Sequence, residues 1–442
     1  MGSYWQSNVI MKAFPRLDGN ITKDVLVIGG GMAGVLTAYM LKGAGVDCAL
    51  LEAEVVANGT TKNTTAKITS QHGLIYDKLI REFGVKKAAL YLKANEGALG
   101  EYRRLCRDID CDFTERDNYI YLTEDAEKLK KEKRALDRLG FEAELKDSLK
   151  IPIRNAGAIK FPRQAEFHPL KFLKAITEDL PIYEHSRVRE LKRTEGGITA
   201  VTAGGEVRAK RVVAATHFPF INKHGAYFIK MYQSRSYVLA LENAPELDGM
   251  YLDGSGKGLS MRNCGGLLLL GGGGHRTGKK GGGYRELYYW ARRLFGEAKV
   301  RYSWAAQDCM TLDSVPYVGR YSSGTENMFV AAGFNKWGMT GSMVSARLLT
   351  DLLTGKDSPY SEVFSPSRTV LRPQLISNVF ESTVGLLTPT SPRCPHLGCA
   401  LKWNADERTW DCPCHGSRFT ENGELIDNPA TGDLGKAKNR RR

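Results

Sequence analysis

Three apolar runs, the first and last followed by a glycine break, organise the first 356 residues. Asp24-Val25-Leu26-Val27-Ile28 is a short apolar run of strand type and ends in Gly29-Gly30-Gly31-Met32-Ala33-Gly34. Residues 35–43 then space their apolar side chains as a helix, and Cys48-Ala49-Leu50-Leu51 reads as a second buried strand closing on Glu52. Residues 188–192, 198–201 and 207–214 alternate as a three-strand meander, with Glu195-Gly196-Gly197 and Gly204-Gly205 as its turns. The meander runs into Val212-Val213-Ala214-Ala215-Thr216-His217. The third run is Phe329-Val330-Ala331-Ala332-Gly333-Phe334, followed by Trp337-Gly338-Met339-Thr340-Gly341 and an amphipathic helix through Leu353. Residues 90–109 predict a charged amphipathic helix, and 267–270 an apolar strand before Gly271-Gly272-Gly273-Gly274-His275-Arg276. Four prolines mark 357–390 as a linker.

Length and charge narrow the function classes. A chain of 442 residues predicts roughly two to three domains. A net charge of +14 favours acidic partners, yet the basic residues are scattered except in the tail 436–442. No nucleic-acid recognition module appears, so nucleic-acid binding is not expected. No apolar stretch approaches a bilayer span, and residues 1–15 lack a signal-peptide pattern. Cys48, Cys106, Cys111, Cys264 and Cys309 form no disulfide framework, which suits a reducing cytoplasm.

The first glycine break reads G-x-G-x-x-G in a strand–turn–helix–strand setting. Gly29 permits the tight turn, Gly31 lets a pyrophosphate approach the helix N-terminus, and Gly34 lets helix and strand pack closely. Glu52 is placed to accept hydrogen bonds from a ribose, so a dinucleotide site is expected.

Near the C-terminus, Cys394-Pro395-His396-Leu397-Gly398-Cys399 and Cys412-Pro413-Cys414-His415-Gly416-Ser417 combine as C-x-H-x15-C-x2-H. Each box supplies one Cys and one His. That split suits a two-iron centre with Cys394 and Cys412 on one iron and His396 and His415 on the other. Imidazole ligation raises the potential of such a centre to between about −150 and +300 mV. A structural zinc site is the competing reading, because two Cys and two His also satisfy Zn²⁺. The boxes resemble the Rieske [2Fe–2S] family, whose loops read C-T-H-L-G-C and C-P-C-H-G-S. The resemblance covers about residues 390–432 and implies a Cys399–Cys414 disulfide clamping the loops. It has one departure: residues 388–393 leave almost no room for the strands that normally precede the first box. Either the preceding domain packs in their place, or the cluster is unusually exposed.

Residues 20–356, by the order of their landmarks, resemble the FAD-dependent amine and amino-acid oxidases, with the glutathione-reductase and D-amino-acid-oxidase type of α/β fold. The resemblance implies a discontinuous FAD-binding domain (20–80, 155–225 and 300–356) with an inserted α+β substrate domain (81–154 and 226–299). A small, mainly β Rieske-like module (391–435) follows the linker. It places Thr65, Gln71, Thr216, Gly333, Gly338 and Thr340 at the cofactor with the glycine turn, and Thr65, Lys67, His72, His275 and Trp337 near the chemistry. A polar loop capping a helix competes for residues 58–73, and a plain hairpin turn for 271–276. His168 before Pro169 reads as the start of a helix, not as a base. Some sarcosine oxidases attach flavin through a cysteine in a Cys-Met segment; the spacing after Cys309-Met310 differs here, so a buried, inert thiol is expected. Their substrate-binding Lys is replaced by Thr340, with Lys336 a substitute, which puts a simple amino-acid substrate in doubt.

Together these features predict an oxidoreductase that takes a hydride from a small substrate onto FAD. Its electrons then pass through a [2Fe–2S] cluster to an external acceptor, with an acidic electron carrier as the expected partner. An O₂-using oxidase with a structural C-terminal module, and a redox sensor, are the rival readings.

Overall fold

The computed structural model of the chain describes residues 2–221, 224–256, 258–369, 372–390 and 392–435. The basic tail 436–442 lies outside them. The dinucleotide sheet has the strand order Tyr317–Arg320, Met328–Ala332, Glu206–Ala214, Ile21–Ile28, Cys48–Leu51, Ile182–Tyr183. Ile21–Ile28 pairs in parallel with Cys48–Leu51 on one side and with Glu206–Ala214 on the other. The strand order therefore reverses at the C-terminal end of Ile21–Ile28, where open α/β sheets bind ligands. Helix Met32–Gly43 returns the chain over this sheet and packs on helix Gly338–Leu353. Val35, Leu36, Ala38 and Leu41 are fully buried, as near-continuous apolar strands and covered helices require. The meander appears as Glu190–Thr194, Gly197–Val201 and Glu206–Ala214, antiparallel and in register.

The second sheet has nine strands and stands beside the first. It is built mainly from Thr114–Tyr121, Ala158–Glu166, Met231–Glu242, Leu267–Arg276 and Lys299–Thr311. Lys67–Ile68, Ala158–Glu166 and Lys299–Thr311, which the expected limits place largely in the FAD-binding domain, all belong to this sheet. Their alternation looks the same in either sheet, so only pairing partners separate them. Gly271 to Gly274 make no reversal. They continue the strand, with Gly271 and Gly272 paired to Val238 and Tyr237. A Cβ at Gly272 would meet the Leu287 side chain at 3.1 Å, so glycine lets helix Gly283–Phe295 lie close.

The C-terminal module is a four-stranded antiparallel meander, Lys402–Asn404, Thr409–Asp411, Arg418–Thr420 and Leu425–Asp427. The segment expected as a linker instead contains helix Pro373–Leu387, with proline in its first turn, where a missing N–H costs nothing. Helix Tyr76–Cys106 takes in the expected 90–109 helix up to Cys106, starts earlier than expected, and kinks at Gly84, whose φ is 80°. Among the described residues, no helix is long and apolar enough to cross a membrane.

A buried ion pair ties the segment after the second sheet to the core. The Arg368 guanidinium bonds both Asp313 oxygens, at 2.6 and 2.9 Å, and stacks on Tyr317 at 4.1 Å. Burial alone would raise the Asp313 carboxyl, but Arg368 holds it below its ordinary range. Breaking such a pair from one side strands a charge, so Arg368→Ala should lose about 3–5 kcal/mol in denaturant unfolding at neutral pH. The double variant Arg368→Leu/Asp313→Leu should recover most of that loss. Because the Asp313 pKa is depressed on folding, its contribution is present above the unfolded pKa and fades as the pH falls through the folded one.

Candidate functional site

Strand Ile21–Ile28 feeds a turn that only glycine can make. Gly29 has φ 111°, and a Cβ there would lie 2.5 Å from the Ala215 carbonyl oxygen. A Cβ at Gly34 would lie 1.9 Å from the Gly29 carbonyl oxygen, so helix and turn touch through backbone alone. Glu52 receives the Gly30 N–H at 2.6 Å and the Glu54 N–H at 2.8 Å. Burial lifts its carboxyl above the ordinary range, and these amides oppose that rise. A cavity of about 660 Å³ opens here and is walled by Gly29, Gly31, Glu52 and Thr216. An apolar-walled cleft of that size at a helix N-terminus fits a dinucleotide.

Thr65, Lys67, His72, Trp337 and Gly338 line the rest of the cavity. Lys67 Nζ donates to Thr65 Oγ1 at 3.1 Å. Burial, reinforced by Arg262, lowers the Lys67 ammonium to about 7. His72 plays a different part. Its Nε2 lies 2.8 Å from the Thr69 carbonyl, which can only accept, so the proton sits on Nε2 and Nδ1 accepts from Tyr91 Oη at 2.7 Å. Burial drops His72 to about 3, leaving the ring neutral and stacked on Trp337 at 4.9 Å. Both nitrogens are committed, so His72 positions the Trp337 ring and has no free base.

Several expected site residues lie outside the cavity wall. Gln71 spends its amide on the Ile159 carbonyl and on Asn118. Thr340 Oγ1 bonds the Thr69 carbonyl and His72. Gly333, with φ 74°, packs on Thr311. His275 stacks on Tyr237 at 5.6 Å. His168 starts helix Pro169–Ile176 and accepts from the Lys171 N–H. Cys309 is buried on the cavity wall, and burial pushes its thiol well above the ordinary value, so it is the inert thiol expected. Two lining residues went unweighted: Asp308, raised by burial against the pull of Lys336, and His217. Lys336 itself lines the cavity at φ 73°, beside Asn335, which is locked to Thr311 N–H at 2.8 Å.

The two C-terminal loops share one geometry. Gly398 N–H donates to the Cys394 carbonyl and Gly416 N–H to the Cys412 carbonyl, each at 2.9 Å, with φ 80° and 87° at the glycines. The spacing Cys-x3-Gly thus closes each loop with the left-handed residue that ends it. Cys399 and Cys414 form a disulfide, with Cα atoms 6.7 Å apart. That leaves the Cys394 and Cys412 thiols outside any disulfide, beside His396 and His415, whose imidazole centroids are 5.0 Å apart. Among the described residues, neither ring nitrogen of the buried His415 has a side-chain hydrogen-bond partner, and burial lowers the imidazole to about 3 against a small opposing pull from the Phe228 backbone. Two thiols and an imidazole with buried, unsatisfied nitrogens fit a Cys/His-ligated cluster.

The body of the chain packs against the module's cluster loops, as the first of the two alternatives expects. Gln233 Nε2 donates to the His415 carbonyl at 2.9 Å and the Asn428 carbonyl at 3.0 Å. Gln307 Nε2 donates to the Gly416 carbonyl at 2.9 Å and to Gln233 Oε1 at 2.7 Å. His217, on the cavity wall, reaches the same Gln233 oxygen at 3.1 Å. Arg276 holds the Pro413 and Cys414 carbonyls, and Arg235 pairs with Glu407. Ile426, Asp427, Asn428, Ala430 and Thr431 of the module complete the wall of the nucleotide cavity. None of these bridging residues carries a local motif; only the cysteine boxes signalled what they hold.

The comparisons agree with both halves. Residues 24–352 match the FAD dependent oxidoreductase family, and residues 369–438 match the Rieske [2Fe-2S] domain. YhfW of Bacillus subtilis (strain 168), named as a putative Rieske 2Fe-2S iron-sulfur protein, is 35% identical over 97% of this chain and 96% of its own. Gamma-glutamylputrescine oxidoreductase of Escherichia coli (strain K12) is 24% identical over 77% of this chain and 86% of its own. The solved glycine oxidase from Geobacillus kaustophilus shares the fold, with a TM-score of 0.67 at 20% identity, over 79% of this chain and all of that one. The chain therefore belongs to the FAD dependent oxidoreductase family and carries a C-terminal Rieske [2Fe-2S] domain.

Proposed function

We propose that the protein oxidises a small amine or amino-acid-like substrate at the FAD cavity and passes the electrons through the Rieske cluster to an external acceptor. The observation that carries this reading is the shared wall. His217 faces the cavity, and one buried glutamine separates it from the backbone of the cluster ligand His415. A structural cap would need no such continuity. Bound FAD supplies hydride acceptance and single-electron release, and the cluster supplies one-electron transfer.

The chain's own groups supply binding, orientation and proton handling. Asp308 and Lys336 give the cavity one acid and one base, matching an ammonium and an anionic group on the same small molecule. Lys67 is the proton acceptor in this reading, because its Nζ is neutral above about 7 and an ammonium must lose a proton before its carbon gives up a hydride. Trp337, held by His72, forms an apolar wall that excludes water. The free thiols Cys48, Cys106, Cys111, Cys264 and Cys309 agree with a reducing cytoplasm.

Below about pH 7 Lys67 holds its proton and cannot take another, so kcat/KM should climb as pH rises through that value. Lys67→Met should flatten that limb while flavin content stays unchanged; a rise of the same shape in the variant would remove Lys67 from the role. Cys412→Ser should abolish the EPR signal of the reduced cluster and the bound iron, leaving the flavin absorption bands. Gln233→Leu should leave flavin bleaching by substrate at its wild-type rate in anaerobic stopped flow. Appearance of the cluster EPR signal should slow by about tenfold or more, the low end for loss of an outer partner of a metal site. Equal rates in variant and wild type would show that the glutamine bridge does not couple the centres.

A further inference from the structure

Helix Pro373–Leu387 is built inside out. Its protein-facing side is polar or small: Asn378, buried, bonds Arg276 at 2.9 Å and the Ile229 carbonyl at 3.2 Å, and Glu381 pairs with Lys279 at 2.6 Å. Gly385 presses on the cluster loops so closely that a Cβ there would lie 2.5 Å from Cys414 Sγ. The opposite side is apolar and open. Ile376 is 75% exposed, Phe380 64% and Leu387 76%, with Val379 and Val384 between them. Leu397, also exposed, follows directly on the cluster ligand His396. A contiguous apolar face on one helix of a soluble surface marks a contact site.

We propose that this face docks an acidic one-electron carrier protein and is the port through which the cluster exchanges electrons; the proposal rests on the relay reading above. Charge selects the partner. Arg393, exposed at the helix end, spends its guanidinium on the Leu386, Thr388 and Gly398 carbonyls, so its charge stays unneutralised. With a net charge of +14 behind it, this cation at the end of the apolar face complements an acidic surface. Size selects a transient encounter. One face of a 15-residue helix offers the small contact that redox pairs use, well short of what a permanent dimer buries. Each encounter moves one electron, the donor oxidised by one and the acceptor reduced by one. Two carriers therefore balance the two electrons of one substrate, and no bond forms or breaks at the surface.

The test uses the full-length holoprotein and the triple variant Ile376→Ser/Phe380→Ser/Leu387→Ser, all at exposed positions remote from the cavity wall. The probe is a purified, pre-reduced acidic plant-type ferredoxin. Its potential lies well below that of a His-ligated cluster, so the electron runs downhill into the chain. The wild-type second-order rate should fall as salt is added, and the variant's rate at low salt should be lower by about tenfold or more, the scale of losing an apolar anchor. Reduction by dithionite, flavin content and the cluster EPR spectrum should stay the same in both. A variant that matches the wild-type rate overturns the proposal, as does a wild-type rate that ignores salt. A wild-type dimer that the variant converts to monomer in sedimentation assigns the face to a second copy and overturns the carrier. Co-pelleting of wild type, but not variant, with anionic lipid vesicles assigns it to a membrane and also overturns it. Because ferredoxin feeds the cluster without substrate or flavin, this result stands apart from any failure of the relay.

Discussion

The C-terminal module is too small to stand alone, and the architecture answers to that constraint. Its own core contains four cysteines, Leu401, Phe419 and Ala430, with Trp410, Leu425 and Leu434 packed around them. Domains of about forty residues or fewer need cross-links, metals or a host surface to stay folded. This one uses all three. The Cys399–Cys414 disulfide joins the loops, the Rieske domain binds its [2Fe–2S] cluster, and the FAD-bearing body supplies the remaining wall. Arg418 shows how the wall is fixed. It is buried and bonds Asp411, Glu407 and Asp427, and Glu407 in turn pairs with Arg235 from the second sheet. Charges this buried are costly unless every partner is in place, so the network tolerates one docking geometry and penalises any other.

Fixing the module also fixes the functional geometry. The strands Met231–Glu242 and Lys299–Thr311 pair throughout and carry Gln233 and Gln307 toward the cluster loops. The second strand also presents Asp308 and Cys309 to the cavity. One pair of strands thus serves two sites, and neither site can shift without the other. A close-packed interior of this kind transmits position rather than absorbing it.

The legible parts of the chain were those whose chemistry is local. The nucleotide turn needs glycine at positions fixed by backbone contact, so its spacing survives as a pattern within thirty residues. The cluster loops are legible for the same reason, since Cys-x3-Gly closes a single hydrogen-bonded turn. Glutamines that hold carbonyls 109 and 182 residues away leave no such pattern, and nothing local distinguishes Gln233 from a surface side chain. Helix Pro373–Leu387 was hidden by its prolines and its inverted polarity, because periodicity reads apolar as inward. The glycine run 271–274 was misassigned since tight turns and close helix–strand contacts demand the same residue.

Lys67 and His72 show why residue type alone could not divide the roles within the cavity. Both are buried basic groups five residues apart, and burial lowers both. For His72 the outcome is a ring neutral at every physiological pH, with each nitrogen already engaged. For Lys67 the same force, working from a higher starting value and partly offset by Glu166, stops near neutrality. Its amine bonds a single threonine hydroxyl. Burial of equal kind therefore leaves one ring neutral with both nitrogens engaged and the other group titrating near neutrality, and the starting pKa decides which.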